Sequence, residues 1–282
     1  MFHHRPRRIA ALAITGLALA AGVSTTAFAT QTHHVKPEPK PTVVLVHGAW
    51  ADSASWSGVV KRLQADGYPV TAPATPLRSL SSDSAYLADY LKTIKGPVVL
   101  VGHSYGGAVI TNAATGNSNV KALVYIAAFA PDKGESTADL VGKFPGSHLS
   151  DDRNAPLPTA LSPVPFTQAD GSTGIDLYIK PDKYRDVFLS NQVNRAKAAE
   201  LAATQRPITA QAVAEPSGTP AWKTIPSWYL VANNDHTIPA AAERAMASRA
   251  NAHTVEVDGP HAVALTDAHA VTRLVEQAAT TR

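Results

Sequence analysis

Three short apolar runs constrain this chain more than any other feature. They are "TVVLV" (Thr42–Val46), "PVVLVG" (Pro97–Gly102) and "VKALVYIAAF" (Val120–Phe129). Each is nearly continuous rather than alternating, and rich in β-branched residues. A strand with one wet face alternates; a continuous run belongs to a strand covered on both faces. The stretches between them have helical spacing. Val59, Val60 and Leu63 recur within Trp56–Ala65, which Gly67 stops. Ala85, Leu87, Ala88, Leu91 and Ile94 recur within Ser81–Ile94, and Gly107–Ala114 reads as a third helix. A short strand, "YPVTAP", lies between the first two helices. Buried strands alternating with helices over short loops predict a mostly parallel α/β sheet of about six strands, with helices on both faces. Right-handed crossovers then restrict the topology.

The alternation stops at Pro131. From about 131 to 220 the chain is rich in Pro, Gly, Asp and Ser and shows no buried strand run. "DKYRDVFLSNQV" and "RAKAAELAATQ" read as helices within it, and the stretch reads as a lid inserted into the sheet domain. The sheet resumes with "SWYLVA", followed by a helix at Ala240–Arg249, the strand "HTVEV" and a closing helix at Asp267–Thr280. The domain is expected to span residues 42–282.

The N-terminus has a different character. Basic "MFHHRPRR" precedes an apolar run at Ile9–Val23 and a small-x-small site at Ala27-Phe28-Ala29. This pattern predicts a secretory signal over residues 1–29, removed on export, with Arg7-Arg8 leaving a twin-arginine route open. A Pro-rich tether over 30–41 follows, and the mature protein is expected outside the cell with no membrane attachment. The net charge of +3 does not describe that product. Arg5, Arg7 and Arg8 leave with the signal and no acid does, so the 22 acidic residues are balanced. No basic run interleaved with aromatics points to nucleic acid. There is no cysteine, which excludes thiol catalysis and thiolate metal ligands.

One of the buried runs ends in a candidate site. Gly102-His103-Ser104-Tyr105-Gly106 is G-x-S-x-G, placed between a strand and a helix. That setting is what a nucleophile elbow requires: a serine held up on a turn too tight for side chains at the flanking glycines. A serine hydroxyl needs a base to take its proton, and a histidine base needs a carboxylate to fix its tautomer. Among the 11 histidines, His261 in "VDGPHAVALTD" lies between the last strand and the last helix. Asp235 in "WYLVANND" leaves the carboxyl end of the preceding strand; Asp132, after "YIAAFAP", is the rival acid. The oxyanion donors are expected from the backbone N–H groups of Tyr105 and Ala49, with Trp50 as the alternative to Ala49. His47 reads as a scaffold residue. Phe144, Phe166, Tyr178 and Phe188 are candidates for the pocket wall.

"VLVHGAW", "VGHSYGG", "VANND" and "GPHAV", in this order, resemble the α/β-hydrolase superfamily. The resemblance covers about Thr42 to Thr280 and is nearest to small bacterial esterases related to plant methyl-ester esterases and hydroxynitrile lyases. It implies Ser104 as nucleophile, Asp235 as acid and His261 as base. With the signal pattern, it implies a secreted serine hydrolase of carboxylic esters, its substrate a small molecule, that works through an acyl-enzyme without metal or organic cofactor. The family's leading antiparallel strands are reduced or absent here. Two other functions stay open: a cyanohydrin lyase using the same triad with a lid cation such as Lys180 or Lys183, and a binding module without catalysis.

Overall fold

The computed structural model describes Met1, residues 39–152 and residues 154–281. The expected signal and most of the tether lie outside the described residues. The chain opens with β1 (Thr42–Val46), α1 (Ser57–Ala65), β2 (Val70–Thr71), α2 (Leu80–Lys92), β3 (Val98–Ser104), α3 (Tyr105–Ala113) and β4 (Val120–Ala128). A long connection carries α4 (Thr137–Lys143), β5 (Leu161–Thr167), β6 (Thr173–Ile179), α5 (Pro181–Val187), α6 (Arg195–Ala203), β7 (Ile208–Thr209) and α7 (Ala210–Ala214). The chain closes with β8 (Ser227–Ala232), α8 (Ala240–Arg249), β9 (His253–Val257), α9 (Val263–Thr266) and α10 (Ala268–Thr280).

Six strands form one parallel sheet in the order β2-β1-β3-β4-β8-β9. Its side chains explain the continuous apolar runs. Val44, Val46, Leu100 and Tyr125 enter one core with α2, α3 and α8, whereas Val43, Leu45, Val99, Val101, Val124 and Ile126 enter the opposite core with α1 and α10. Successive residues therefore bury on opposite faces, which is why the central positions of these strands are apolar without alternation. The closing helix α10 follows the same economy. It buries Val271, Leu274, Val275 and Ala278 on one stripe, and Asp267 caps it by accepting the Ala270 N–H at 2.9 Å. Among the described residues no helix is long and apolar enough to cross a membrane.

The β4–β8 connection departs from the sequence-based expectation. It contains a three-stranded sheet, β5-β6-β7, with β5 and β6 pairing antiparallel from Leu161↔Ile179 to Thr167↔Thr173. The helix expected at 182–193 stops at Val187, and α6 ends at Ala203. In the main sheet the differences are small: α3 starts at Tyr105 rather than Gly107, and a single turn, α9, precedes α10.

Candidate active site

The parallel sheet brings three loops to one rim. Ser104 ends β3, Asp235 lies three residues past β8, and His261 lies four residues past β9. In an open parallel sheet these carboxyl ends form the ligand-binding edge.

Ser104 has φ 54° and ψ −126°, a conformation that costs a non-glycine residue roughly 1–3 kcal/mol. The elbow holds it there by close backbone approach. A Cβ at Gly102 would lie 2.6 Å from the Gly106 carbonyl oxygen, and one at Gly106 would collide with the carbonyl of Val46. Helix α3 thus starts directly against β1, with Ser104 at its N-cap, beside the positive end of the helix.

His261 Nε2 lies 2.8 Å from Ser104 Oγ, and His261 Nδ1 lies 2.5 Å from Asp235 Oδ2. The ring and both partners are buried. Asp235 Oδ1 accepts the N–H groups of Thr237 (2.6 Å) and Ile238 (2.7 Å), which orients the carboxylate before it meets the imidazole. The two loops are tied together by Asn233 N–H donating to Val257 O and Asn234 N–H donating to Gly259 O. The rival acid is elsewhere: Asp132 lies at 2.6 Å from Lys223 Nζ, and that ammonium contact holds its carboxyl below the usual range.

The expected donors also meet here. Ala49 and Tyr105 line the cavity that contains Ser104. The Trp50 amide is occupied, donating to Arg206 O at 2.8 Å, which favours Ala49 over Trp50 as the oxyanion donor of this loop. Trp50 itself has φ 58° and is held on three sides. Its indole N–H donates to Leu177 O, and its carbonyl accepts the Tyr184 hydroxyl, both at 2.9 Å. His47 is a scaffold residue: its Nδ1 lies 2.9 Å from Gly48 O and its Nε2 accepts the Thr75 N–H at 2.9 Å. Burial lowers its pKa, which suits a neutral ring in both bonds.

The Ser104 cavity measures about 210 Å³ and has mostly apolar walls, including Phe129, Val141, Leu149, Leu161, Leu177 and Val213. Most of these come from the β4–β8 connection. The four aromatic candidates are not among its lining residues. Phe188 instead packs edge-on to His261, with ring centroids 5.2 Å apart. Phe166 lies over Gly174 and faces the Arg78 guanidinium, and Phe144 and Tyr178 are partly buried away from the serine. The two lysines considered as lid cations are also outside it: Lys180 Nζ donates to Thr159 O, and Lys183 faces Asp151.

A family model described as "Alpha/beta hydrolase family" matches residues 43–274. The chain belongs to the alpha/beta hydrolase family. Within it, the chain is 28% identical over 264 residues to the α/β hydrolase nvfD of Aspergillus novofumigatus, covering 85% of this chain and 97% of that protein. It is 28% identical over 224 residues to a pyrethroid hydrolase of Sphingobium wenxiniae, covering 72% and 74% of the two chains. Among solved structures, an extracellular α/β-hydrolase from a Paenibacillus species superposes with a TM-score of 0.65 at 24% identity, covering 86% of this chain and all of that one. That structure is described as sharing structural and functional homology with tobacco salicylic acid binding protein 2. These likenesses place the chain in the esterase branch of the alpha/beta hydrolases.

Three buried polar residues around this hydrolase site carry no local sequence signal. His103 lies at the base of the elbow, its Nε2 2.8 Å from His261 O. Burial, followed by the repulsion of His261, lowers its pKa to about 3, so the ring stays neutral and donates this bond. Asp83 accepts the Tyr105 hydroxyl at 2.9 Å, anchoring the residue after the serine from α2. Glu243 on α8 accepts the Ala232 N–H at 3.0 Å and is wholly buried. Burial, then the Asp235 charge, push its carboxyl well above the usual range, so it is neutral beneath the acid loop.

Proposed function

We propose that this carboxylic ester hydrolase uses Ser104, His261 and Asp235 as a catalytic triad and proceeds through an acyl-enzyme. The observation that carries the reading is the buried chain of contacts Ser104 Oγ to His261 Nε2 at 2.8 Å and His261 Nδ1 to Asp235 Oδ2 at 2.5 Å. Asp235 accepts from Nδ1–H, which leaves the Nε2 lone pair facing the hydroxyl. His261 takes the proton as Ser104 Oγ attacks the ester carbonyl. The N–H groups of Ala49 and Tyr105 receive the oxyanion, aided by the positive end of α3. His261 returns the proton to the departing alcohol. A water molecule, deprotonated by the same imidazole, then attacks the acyl-enzyme, and the acid leaves from Ser104.

The β4–β8 connection acts as the lid and sets the substrate. A cavity of 150 Å³ admits benzene, so about 210 Å³ accommodates one ring with a short arm, or a short acyl chain. With its mostly apolar walls, the site favours small apolar esters. The similarity to the pyrethroid hydrolase and to a Nocardioides esterase named for hydrolysing carbendazim, 34% identical over 113 residues, supports ester hydrolysis. Among the described residues no lysine or arginine lines the cavity, which supports ester hydrolysis over the cyanohydrin-lyase reading. Export follows from the N-terminal signal pattern, and mass spectrometry of the secreted product should find Thr30 at its start.

The test is a p-nitrophenyl ester series, from acetate to long acyl chains and benzoate, with Ser104→Ala as the control. Wild type should turn over the short esters best. The variant should lose about three or more orders of magnitude in kcat while remaining folded. Undiminished turnover by Ser104→Ala would remove the serine from the mechanism.

A further inference from the structure

Directly after the catalytic acid, the chain builds a second cluster that ester hydrolysis does not use. His236 follows Asp235, and its Nδ1 lies 3.0 Å from Asp186 Oδ1. His148 approaches the same carboxylate from another segment, with Nδ1 2.8 Å from Asp186 Oδ2. The two imidazoles are stacked, with centroids 3.9 Å apart and planes at 29°, so both present Nδ1 on the same side. All three ligand atoms fall within 4.8 Å of one another. The rings are partly open to solvent, which provides an entry path.

The arrangement is held by bonds that do not involve the ligand atoms. His148 N–H donates to His236 O at 2.7 Å. Ser147 Oγ donates to Thr237 O at 2.8 Å, and Thr237 Oγ1 donates to Val187 O at 2.8 Å. Asn191 Nδ2 donates to Asp186 Oδ1 at 2.8 Å, leaving Oδ2 the freer oxygen. The cluster therefore does not depend on its own ion pairs to exist.

We propose that His148, Asp186 and His236 form a binding site for a divalent transition metal, Zn²⁺ foremost, that clasps the acid loop to the β4–β8 connection. Two imidazoles and one carboxylate are a borderline donor set that suits Zn²⁺, Co²⁺, Ni²⁺ or Cu²⁺ and disfavours Mg²⁺ and Ca²⁺. A tetrahedral zinc with ligands at about 2.0–2.2 Å holds donor atoms roughly 3.3–3.5 Å apart. The two His–Asp contacts, at 2.8 and 3.0 Å, need to open by roughly half an ångström, and all three ligand atoms already lie within 4.8 Å of one another. On binding, each ring must present Nδ1 without its proton, so the metal replaces both ring–carboxylate hydrogen bonds. Water completes the fourth position. Leu149 and Thr237, the chain neighbours of His148 and His236, line the Ser104 cavity, so an occupied clasp stiffens that wall.

The full chain without an affinity tag, stripped with a chelator, is titrated with ZnCl₂ against a chromophoric competitor while its thermal midpoint is followed. One Zn²⁺ should bind per chain and raise the midpoint. His148→Ala and His236→Ala should each weaken binding at least tenfold, and Co²⁺ should give visible absorption in wild type alone. Asp186→Asn, which keeps the side-chain shape, supplies the comparison if an alanine variant fails to fold. No binding by wild type, or equal affinity in a variant lacking both histidines, would overturn the site and leave the catalytic reading untouched.

Discussion

Asp235→Asn separates chemistry from folding at this site, because the carboxylate's two oxygens have different tasks. Oδ1 accepts two buried backbone N–H groups, at 2.6 and 2.7 Å, and Oδ2 faces the imidazole at 2.5 Å. In the variant the amide oxygen must stay with the two N–H groups, since the alternative leaves both unpaired. Its NH₂ then faces His261 Nδ1 and cannot accept from it. The ring responds by carrying its proton on Nε2, toward Ser104, where a base is needed. Loss of the correct tautomer is expected to lower kcat about ten-thousandfold, or roughly 5.4 kcal/mol of barrier. Stability should change little. Asp235→Ala, by contrast, strands the Thr237 and Ile238 amides at about 1–3 kcal/mol each, so its midpoint should fall as well. The assay is kcat on p-nitrophenyl butyrate near neutral pH, paired with thermal unfolding of both variants and of Asp132→Asn. If Asp235→Asn keeps more than about a tenth of wild-type kcat, or if Asp132→Asn falls equally far, the tautomer argument is wrong.

Gly106→Ala should be recovered only in misfolded or strongly destabilised form, since its methyl meets the Val46 carbonyl and neither backbone can retreat; soluble yield and midpoint report this. Glu135 is partly buried, which raises its pKa, but bonds from Arg249 and Lys143 outweigh this and lower it to about 2. A depressed carboxyl stabilises the fold above its ordinary pKa of 4.5 and loses that contribution as pH falls toward 2. Glu135→Gln should thus cost about 1–3 kcal/mol at neutral pH and little near pH 2, as read from denaturant midpoints. Glu243 has the opposite sign. Its raised pKa means that stability is lost as pH climbs above its ordinary 4.5, so Glu243→Gln should unfold with a flatter pH profile than wild type from there to neutrality. An unchanged slope would place a charge on Glu243.

What could be read from the sequence follows where the physics is local. β1, β3, β4 and β8 announce themselves because both faces are covered, so burial is written into consecutive residues. The elbow, the Asp235 loop and the His261 loop sit next to those strands and inherit their legibility. β5 does not: it contains Pro163 and Pro165, and most of its residues are at least partly exposed. It is tolerated as a strand because it is the edge of its sheet, where a missing N–H costs no ladder bond. The cavity walls are not legible in the sequence for a related reason. Which side chains reach Ser104 depends on how the connection folds back, and that brings Leu and Val to the cavity rather than Phe144, Phe166, Tyr178 or Phe188. His103, Asp83 and Glu243 act through partners 158, 22 and 11 residues away, distances over which no spacing rule operates.

Trp50 ties the loop after β1 to the β4–β8 connection. It neighbours the amide proposed to receive the oxyanion, and its own backbone and indole are bolted to Arg206, Leu177 and Tyr184. Any hinge movement that swung those three residues outward would pull on the bend that aims Ala49. Compounds too bulky to fit beneath these three residues are therefore expected to lose turnover through a displaced Ala49 as well as through crowding, which a lower kcat alongside a raised KM on bulky esters would check.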